Sequence, residues 1–142
     1  MGGALVRLNF DSSRGTEDID LVRMNHPELS DTAAKNTLYK WLIKKGLGPE
    51  WVNSAVEPFI REIQEWETEV VPLQTGARGK VYRPTLTVFV YLKLRRGTEI
   101  DLMDIKKAVP KCPEGFDEKK FMKWADDATK KKFTKLRANL GI

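Results

Sequence analysis

The sequence predicts an α+β protein in which a helical hairpin (about residues 31–67) packs on a small antiparallel sheet (about 4–10, 69–74 and 81–94). A short helix and a basic C-terminal helix are expected to follow the sheet. Two stretches with apolar residues at helical spacing, one stretch of alternating apolar residues and several capping residues lead to this prediction. The 142 residues fall within the usual size of one domain, so we expect a single domain over 1–142.

The first strand is predicted over residues 4–10, where apolar and polar side chains nearly alternate. The segment from Asp11 to Gly15 is typical of a turn. Residues 16–29 are polar and include Pro27, so we expect mostly loop there, with at most a short second strand near Ile19 to Arg23.

The first helix is predicted from about 31 to 45. Ser30 or Asp31 is a suitable N-cap, and Gly46 is typical of the residue that follows a helix. Between these ends, apolar residues repeat every three or four positions: Ala34, Leu38, Trp41 and Leu42.

The second helix of the hairpin is predicted to begin at Pro49, because proline suits the first helical turn. The apolar positions that continue the helical pattern are Val52, Ala55, Phe59, Ile63 and Trp66. Pro58 interrupts the pattern, since a proline inside a helix removes a backbone donor and clashes with the preceding turn. We therefore expect a kinked helix, or two short helices that meet at Glu57.

A β-hairpin is predicted next. Val70 and Val71 begin its first strand, and its turn falls within Thr75 to Gly79. From Val81 to Leu94 the alternation is more regular than elsewhere in the chain, and one face of the predicted strand is aliphatic and must be buried: Leu86, Val88, Val90, Leu92 and Leu94. The hairpin tip would carry three basic side chains: Arg78, Lys80 and Arg83.

Two further helices complete the predicted fold. Thr98, followed by Asp101, is typical of an N-cap with an acid in the first turn, and it leads a short helix to about Ala108. Asp117 can cap the final helix, which ends before Gly141. The apolar stripe of this helix is imperfect and consists of Phe121, Trp124, Ala125, Ala128, Phe133 and Leu136.

Positive charge is concentrated in the second half of the chain. Residues 1–74 carry eight basic and twelve acidic side chains (net −4), whereas residues 75–142 carry seventeen and eight (net +9). This asymmetry would orient the protein toward a polyanion and makes nucleic acid the leading candidate partner. The alternative is a lysine-rich surface that only keeps the protein soluble.

Two basic segments are candidate contacts with nucleic acid. One is the hairpin tip, whose glycines let a phosphate approach the backbone closely; an ordinary turn is the alternative. The other is the C-terminal helix, whose candidate residues are Lys119, Lys123, Lys130, Lys131, Lys132, Lys135 and Arg137. Consecutive lysines point in different directions on a helix, so we expect contacts with phosphates and little reading of bases. The aromatic side chains Phe121, Trp124 and Phe133 have the spacing of core residues, although such side chains can also stack on bases.

A DNA-reading helix-turn-helix is disfavoured, although a turn does separate the two predicted helices of the hairpin. The helix that begins at Pro49 would enter the major groove. This segment is rich in glutamate, which the phosphates of DNA repel. A plain helical hairpin is the better interpretation, and its acidic surface is available to a protein partner.

The sequence offers little for catalysis, metal binding or membrane insertion. With one cysteine and one histidine, Cys112 and His26, the chain can form neither an internal disulfide nor a four-ligand zinc site. The adjacent carboxylates of Asp126 and Asp127 would point apart on a helix, and an i, i+3 pair such as Asp101/Asp104 is commonplace. We expect no enzyme activity, cofactor or metal. Without a long apolar stretch or a secretory signal, a reducing, cytoplasmic compartment fits best.

The leading hypothesis is a non-catalytic protein that binds DNA or RNA mainly through backbone electrostatics, with low sequence specificity. The alternative is a protein–protein interaction or assembly protein, such as a virion or scaffold subunit or an inhibitor of a larger enzyme. Trp51 and Trp66 would anchor such a partner at the acidic hairpin, because interface hot spots are enriched in tryptophan.

Overall fold

The computed structural model describes residues 19–24, 30–77, 79–112 and 115–140. These residues form helices and two separate two-stranded sheets, which confirms the predicted α+β class. The strand predicted over residues 4–10 lies outside the described residues.

The short strand expected near Ile19 is present as β1 (Ile19–Asp20). It pairs in parallel with β2 (Val52–Asn53), and the backbone N–H of Leu21 extends the pairing by donating to the Asn53 carbonyl at 2.8 Å. Among the described residues this pair does not join the β-hairpin and forms a separate sheet.

Helix α1 (Asp31–Lys44) confirms the first predicted helix. The Ser30 hydroxyl accepts a hydrogen bond from the Ala33 N–H at 3.2 Å, which satisfies one of the free donors of the first turn. Gly46, at φ +72°, adopts the left-handed conformation that ends many helices.

The prediction of one kinked helix after Pro49 is wrong. Pro49–Trp51 forms a single 3-10 turn that leads into β2, helix α2 covers only Glu57–Arg61, and Trp66–Thr68 is another 3-10 turn. The alternative of short helices meeting at Glu57 is closer. Pro58 lies in the first turn of α2, where a backbone N–H would have no acceptor within the helix. The lack of this N–H therefore costs nothing, and Pro58 helps to begin the helix instead of kinking it.

The β-hairpin is confirmed. Strand β3 (Val70–Gly76) pairs antiparallel with β4 (Gly79–Pro84), from Val70 opposite Pro84 to Gly76 opposite Gly79 at the tip. The register shifts between Pro72 and Gln74, where one extra residue of β3 has no partner.

Residues 86–94, predicted to continue the second strand of the hairpin, instead lie in helix α3 (Leu86–Arg96). The Thr85 hydroxyl caps its start, and Gly97, at φ +69°, ends it with an N–H that donates to the Lys93 carbonyl at 2.7 Å. The physical reason for the error is burial, since nearly every side chain of the helix is enclosed and its apolar residues show no helical period.

The two helices predicted near the C-terminus become three. Helix α4 (Glu99–Ala108) has the predicted N-cap, Thr98, which forms a reciprocal capping box with Asp101. The final predicted helix is divided into α5 (Glu118–Trp124), capped by Asp117 as expected, and α6 (Asp127–Leu140). The break is caused by a new N-cap, because the Asp126 carboxylate accepts a hydrogen bond from the Thr129 N–H at 2.7 Å.

The hydrophobic core surrounds α3, which packs against α4, α5 and α6. Aromatic rings link these helices: the Phe121 and Phe133 centroids are 4.6 Å apart, and Tyr91 meets Trp124 edge-on at 6.3 Å. In the part of the chain that the structure describes, no helix is long and apolar enough to cross a membrane.

Candidate nucleic-acid interface

The hairpin tip provides less exposed charge than the sequence predicts. Lys80 is exposed, and Arg78 lies outside the described residues. The prediction that Arg83 is an exposed contact for nucleic acid is wrong, because this residue is only 9% exposed. Its Nη1 atom lies 3.3 Å from the Pro84 carbonyl oxygen and 3.9 Å from Cys112 Sγ, so this guanidinium belongs to the interior at the hairpin base.

Helix α5 carries three exposed lysines, of which Lys119 and Lys123 lie on the side opposite the buried Phe121. Lys120 Nζ donates to the buried Glu69 carboxylate just before β3, and this hydrogen bond is the main reason that the pKa of Lys120 is raised. Lys119 and Lys123 are exposed and, among the described residues, have no hydrogen-bond or ion-pair partner.

Helix α6 likewise has basic residues that bind within the protein and others that are exposed and unpaired. Lys132 is half-buried, and its Nζ donates to the Arg95 carbonyl at 3.2 Å, at the C-terminal end of α3. Arg137 is paired with Glu118 at 2.8 Å. Lys131 and Lys135 lie one turn apart on the exposed face, and no described residue pairs with either.

Lys130 belongs neither with the lysines that bind within the protein nor with the exposed, unpaired ones. It is half-buried and has no partner among the described residues. On a helix it lies 100° from Lys131, so it does not share the direction of Lys131 and Lys135.

Helices α5 and α6 run antiparallel. The Glu118–Arg137 ion pair joins the start of α5 to the second half of α6, and the Phe121–Phe133 contact joins the middles of the two helices. Four lysines of these two helices are exposed and have no partner among the described residues, and we refer to them together as the lysine surface: Lys119, Lys123, Lys131 and Lys135. Each helix contributes two lysines four residues apart, a separation of about 6 Å along the helix axis.

The aromatic residues of these helices lie in the core, as their spacing predicts. Phe121 is fully buried and Phe133 is 3% exposed. Trp124 is half-buried and its ring packs on Tyr91. Phe121 and Phe133 are therefore not free to stack on a base, and Trp124 is only partly accessible.

A buried ionic cluster joins α3 to α4, and sequence reasoning missed it. Lys93 Nζ, in a side chain that is 2% exposed, lies 2.9 Å from Asp101 Oδ1 and 2.7 Å from Asp104 Oδ2. Arg96 and the Thr98 hydroxyl also donate to Asp101. The signal was a lysine within an otherwise apolar run, followed eight and eleven residues later by two aspartates.

The pKa of Asp101 reflects opposing effects. Burial acts to raise it, but hydrogen bonds from Arg96, Thr98 and Lys93 outweigh burial and hold the pKa well below its usual range. The carboxylate pair that the sequence offered for catalysis is thus occupied by Lys93. No buried side-chain N or O atom of the described residues lacks a partner, so the charges of the cluster are paired and removal of one would leave another buried and uncompensated.

A mostly apolar groove of about 790 Å³ lies between β1, α1, α2 and the β-hairpin. Its walls include Val22, Leu38, Val56 and Tyr82. Residues 1–18 and 25–29 precede and follow the segment 19–24 in sequence, which contributes to the groove wall, and both lie outside the described residues. We therefore assign the groove no function.

The tryptophans expected to anchor a protein partner differ in exposure. Trp66 is 5% exposed and belongs to the core, with the Arg61 guanidinium 5.8 Å from its ring centroid. Trp51 is 40% exposed. Only Trp51 of this pair remains available to a partner.

Within the described ranges, no group of three or more histidine, cysteine, aspartate and glutamate side chains is placed to hold a metal ion. Comparisons of the whole chain with protein-family models, with curated proteins and with solved structures find no match. The arrangement of the lysine surface is therefore the main basis for a functional assignment.

Proposed function

We propose that the protein binds nucleic acid through the lysine surface and contacts the phosphate backbone with little dependence on base sequence. The observation that carries this proposal is the exposure of Lys119, Lys123, Lys131 and Lys135 without any acidic partner among the described residues. An unpaired ammonium group neutralises a phosphate without first breaking an internal ion pair.

The type of residue supports backbone contact over base reading. Lysine is a compact point charge, whereas reading of guanine or adenine usually depends on the planar groups of arginine, asparagine or glutamine. Arg137, on α6, is paired with Glu118. The negative first half of the chain would turn away from the polyanion and orient the encounter.

The test is a fluorescence-anisotropy titration with labelled DNA and RNA of two unrelated sequences at several salt concentrations. A lysine that neutralises one phosphate contributes about −0.9 to the slope of log K against log salt on duplex DNA. Replacing all four lysines with glutamine should therefore reduce the magnitude of the slope by about 3.6 and should weaken both sequences equally.

The matched control is the double variant K40Q/K44Q. Lys40 and Lys44 are also exposed, unpaired among the described residues and four residues apart on a helix, but they lie on α1. This variant should bind nearly as the wild type does. Equal losses in the control and in K119Q/K123Q would contradict a defined surface, and the absence of any salt-dependent binding would refute the proposal.

The assembly alternative retains one specific support, the exposed Trp51 together with Trp41, which is 53% exposed. Light scattering separates the two proposals. A defined homo-oligomer without affinity for nucleic acid favours assembly, and a monomer with salt-dependent binding favours the lysine surface.

A further inference from the structure

The aromatic residues near the lysine surface determine which form of nucleic acid it suits. Sites for single strands combine positive charge with aromatic side chains on which unpaired bases stack, at about 1–3 kcal/mol per base. Duplexes keep their bases stacked inside and present mainly phosphates. The location of the aromatic rings therefore distinguishes the two forms.

Every aromatic ring of residues 115–140 packs into the protein. Phe121 and Phe133 are buried, and Phe116 lies 5.5 Å and 5.3 Å from their ring centroids. Trp124 is held against Tyr91. The lysine surface thus has charge but no stacking platform.

The exposed aromatic side chains of the described residues lie in the acidic half of the chain. They are Trp41, Trp51 and Phe59. Phe59 already faces a cation, because the Arg95 guanidinium lies 5.1 Å from its ring centroid. None of these exposed rings lies on α5 or α6, which carry the lysine surface, whereas Trp41 lies between the exposed Lys40 and Lys44 on α1.

We infer that the lysine surface binds double-stranded nucleic acid in preference to single strands, an inference that rests on the proposed function. A duplex carries one phosphate charge per about 1.7 Å of its axis, twice the density of either strand alone. With charge as the only attraction, the denser polyanion binds more tightly.

The experiment compares four labelled probes of about 20 nucleotides per strand: duplex DNA, duplex RNA and an unstructured single strand of each. We expect the duplexes to bind about tenfold more tightly at low salt, with a steeper salt dependence, since each neutralised phosphate contributes about −0.9 for B-DNA and about −0.7 for single strands. Tighter binding of duplex DNA would identify B-form geometry as the target, and tighter binding of duplex RNA would identify A-form geometry.

The outcomes separate this inference from the proposed function. Single strands that bind as tightly as duplexes, with a salt dependence that the four lysine replacements remove, would overturn the inference alone. No salt-dependent binding to any probe would overturn both.

A second variant tests stacking directly. Trp124→Phe keeps an aromatic ring against Tyr91 and changes no charge. The ratio of duplex to single-strand affinity should remain unchanged in this variant. A threefold or larger loss of single-strand affinity alone would show that Trp124 stacks on bases and would contradict the inference.

Discussion

Lysines of this protein have different roles according to what surrounds each ammonium group. Lys119 and Lys131 are exposed and unpaired among the described residues, whereas Lys120 and Lys132 neighbour them in sequence and bind within the protein. The sequence predicted basic residues in this region but could not separate these roles. The partners, Glu69 and the Arg95 carbonyl, lie 51 and 37 residues away in the chain.

Removal of the Lys93 ammonium should be costly, because two carboxylates would remain buried without the cation that they share. Lys93→Met should lower the free energy of unfolding by about 3 kcal/mol, measured by urea denaturation. Lys107→Met removes an exposed lysine from α4 and should change it by less than about 0.5 kcal/mol. A loss below about 1 kcal/mol for Lys93→Met would mean that the cluster contributes little to stability.

Glu65 has backbone angles that favour glycine. At φ +58° and ψ +32° it is in the left-handed region, the one non-glycine residue with positive φ among those described. Glu65→Gly should relieve this strain and raise the free energy of unfolding by about 0.5–1 kcal/mol.

The control is the adjacent exposed residue Gln64, whose φ is not positive. Gln64→Gly should lower stability by about 0.5–1 kcal/mol, because glycine only adds disorder to the unfolded chain there. Thermal and urea denaturation of both variants would test the pair. Destabilisation by both changes would contradict strain at Glu65.

Among the secondary-structure elements, prediction succeeded where capping residues marked the ends and failed where only the apolar pattern was used. Ser30, Thr98 and Asp117 cap the helices predicted from them. In α3, alternation from Leu86 to Leu94 indicated a strand because the helix is buried on nearly all sides. Helix-specific signals were present at its ends, in Thr85 and in Gly97 after three basic residues, but the apolar pattern outweighed them.

The prediction of a helix after Pro49 failed for a different reason, since the apolar residues of this segment do have helical spacing. Local backbone interactions interrupt the helix: Asn53 Oδ1 accepts a hydrogen bond from the Ala55 N–H at 3.0 Å, and Glu65 is left-handed. Asparagine commonly makes such turns, but nothing in the sequence predicts a left-handed glutamate.

Substitutions of Lys131 and Lys132, both on α6, test whether Lys132 stabilises the C-terminal end of α3. Lys132→Gln removes the cation that binds the Arg95 carbonyl near the C-terminal end of α3 and should lower the free energy of unfolding by about 1 kcal/mol. Lys131→Gln should leave stability within about 0.5 kcal/mol but reduce the magnitude of the salt slope for duplex DNA by about 0.9. Urea denaturation and anisotropy of both variants give the comparison, and identical effects of the two changes would contradict the division of roles.

For the whole molecule, the distribution of charge was predictable from the sequence, but the location of the exposed charge was not. Of the ten basic residues proposed as contacts, four form the lysine surface, while Arg83 and Lys132 serve internal contacts. Lys80 is exposed on β4 of the hairpin and is not part of α5 or α6. The candidate site is therefore smaller than predicted and lies on α5 and α6.

Stability of the whole protein should depend on pH through Asp101. Because its pKa is lowered in the folded state, its contribution is complete above the pKa of about 3.9 expected for the unfolded chain and is lost as the pH falls below that value. The free energy of unfolding should thus fall below about pH 4, by up to about 1.4 kcal/mol per pH unit for one proton. Asp101→Asn should be less stable at pH 7 and show a shallower acid dependence, measured by urea denaturation from pH 7 to pH 2; equal acid slopes in the two proteins would contradict this role.

The central position of α3 also has a consequence for the order of folding. Its packing partners α4, α5 and α6 follow it directly in the chain, so most core contacts join residues between 86 and 140. Contacts between segments close in sequence form at a small cost in loop closure and therefore early. The amides of α3 should exchange most slowly with solvent, and the β-hairpin, with its exposed strands, should open before the helices that follow it.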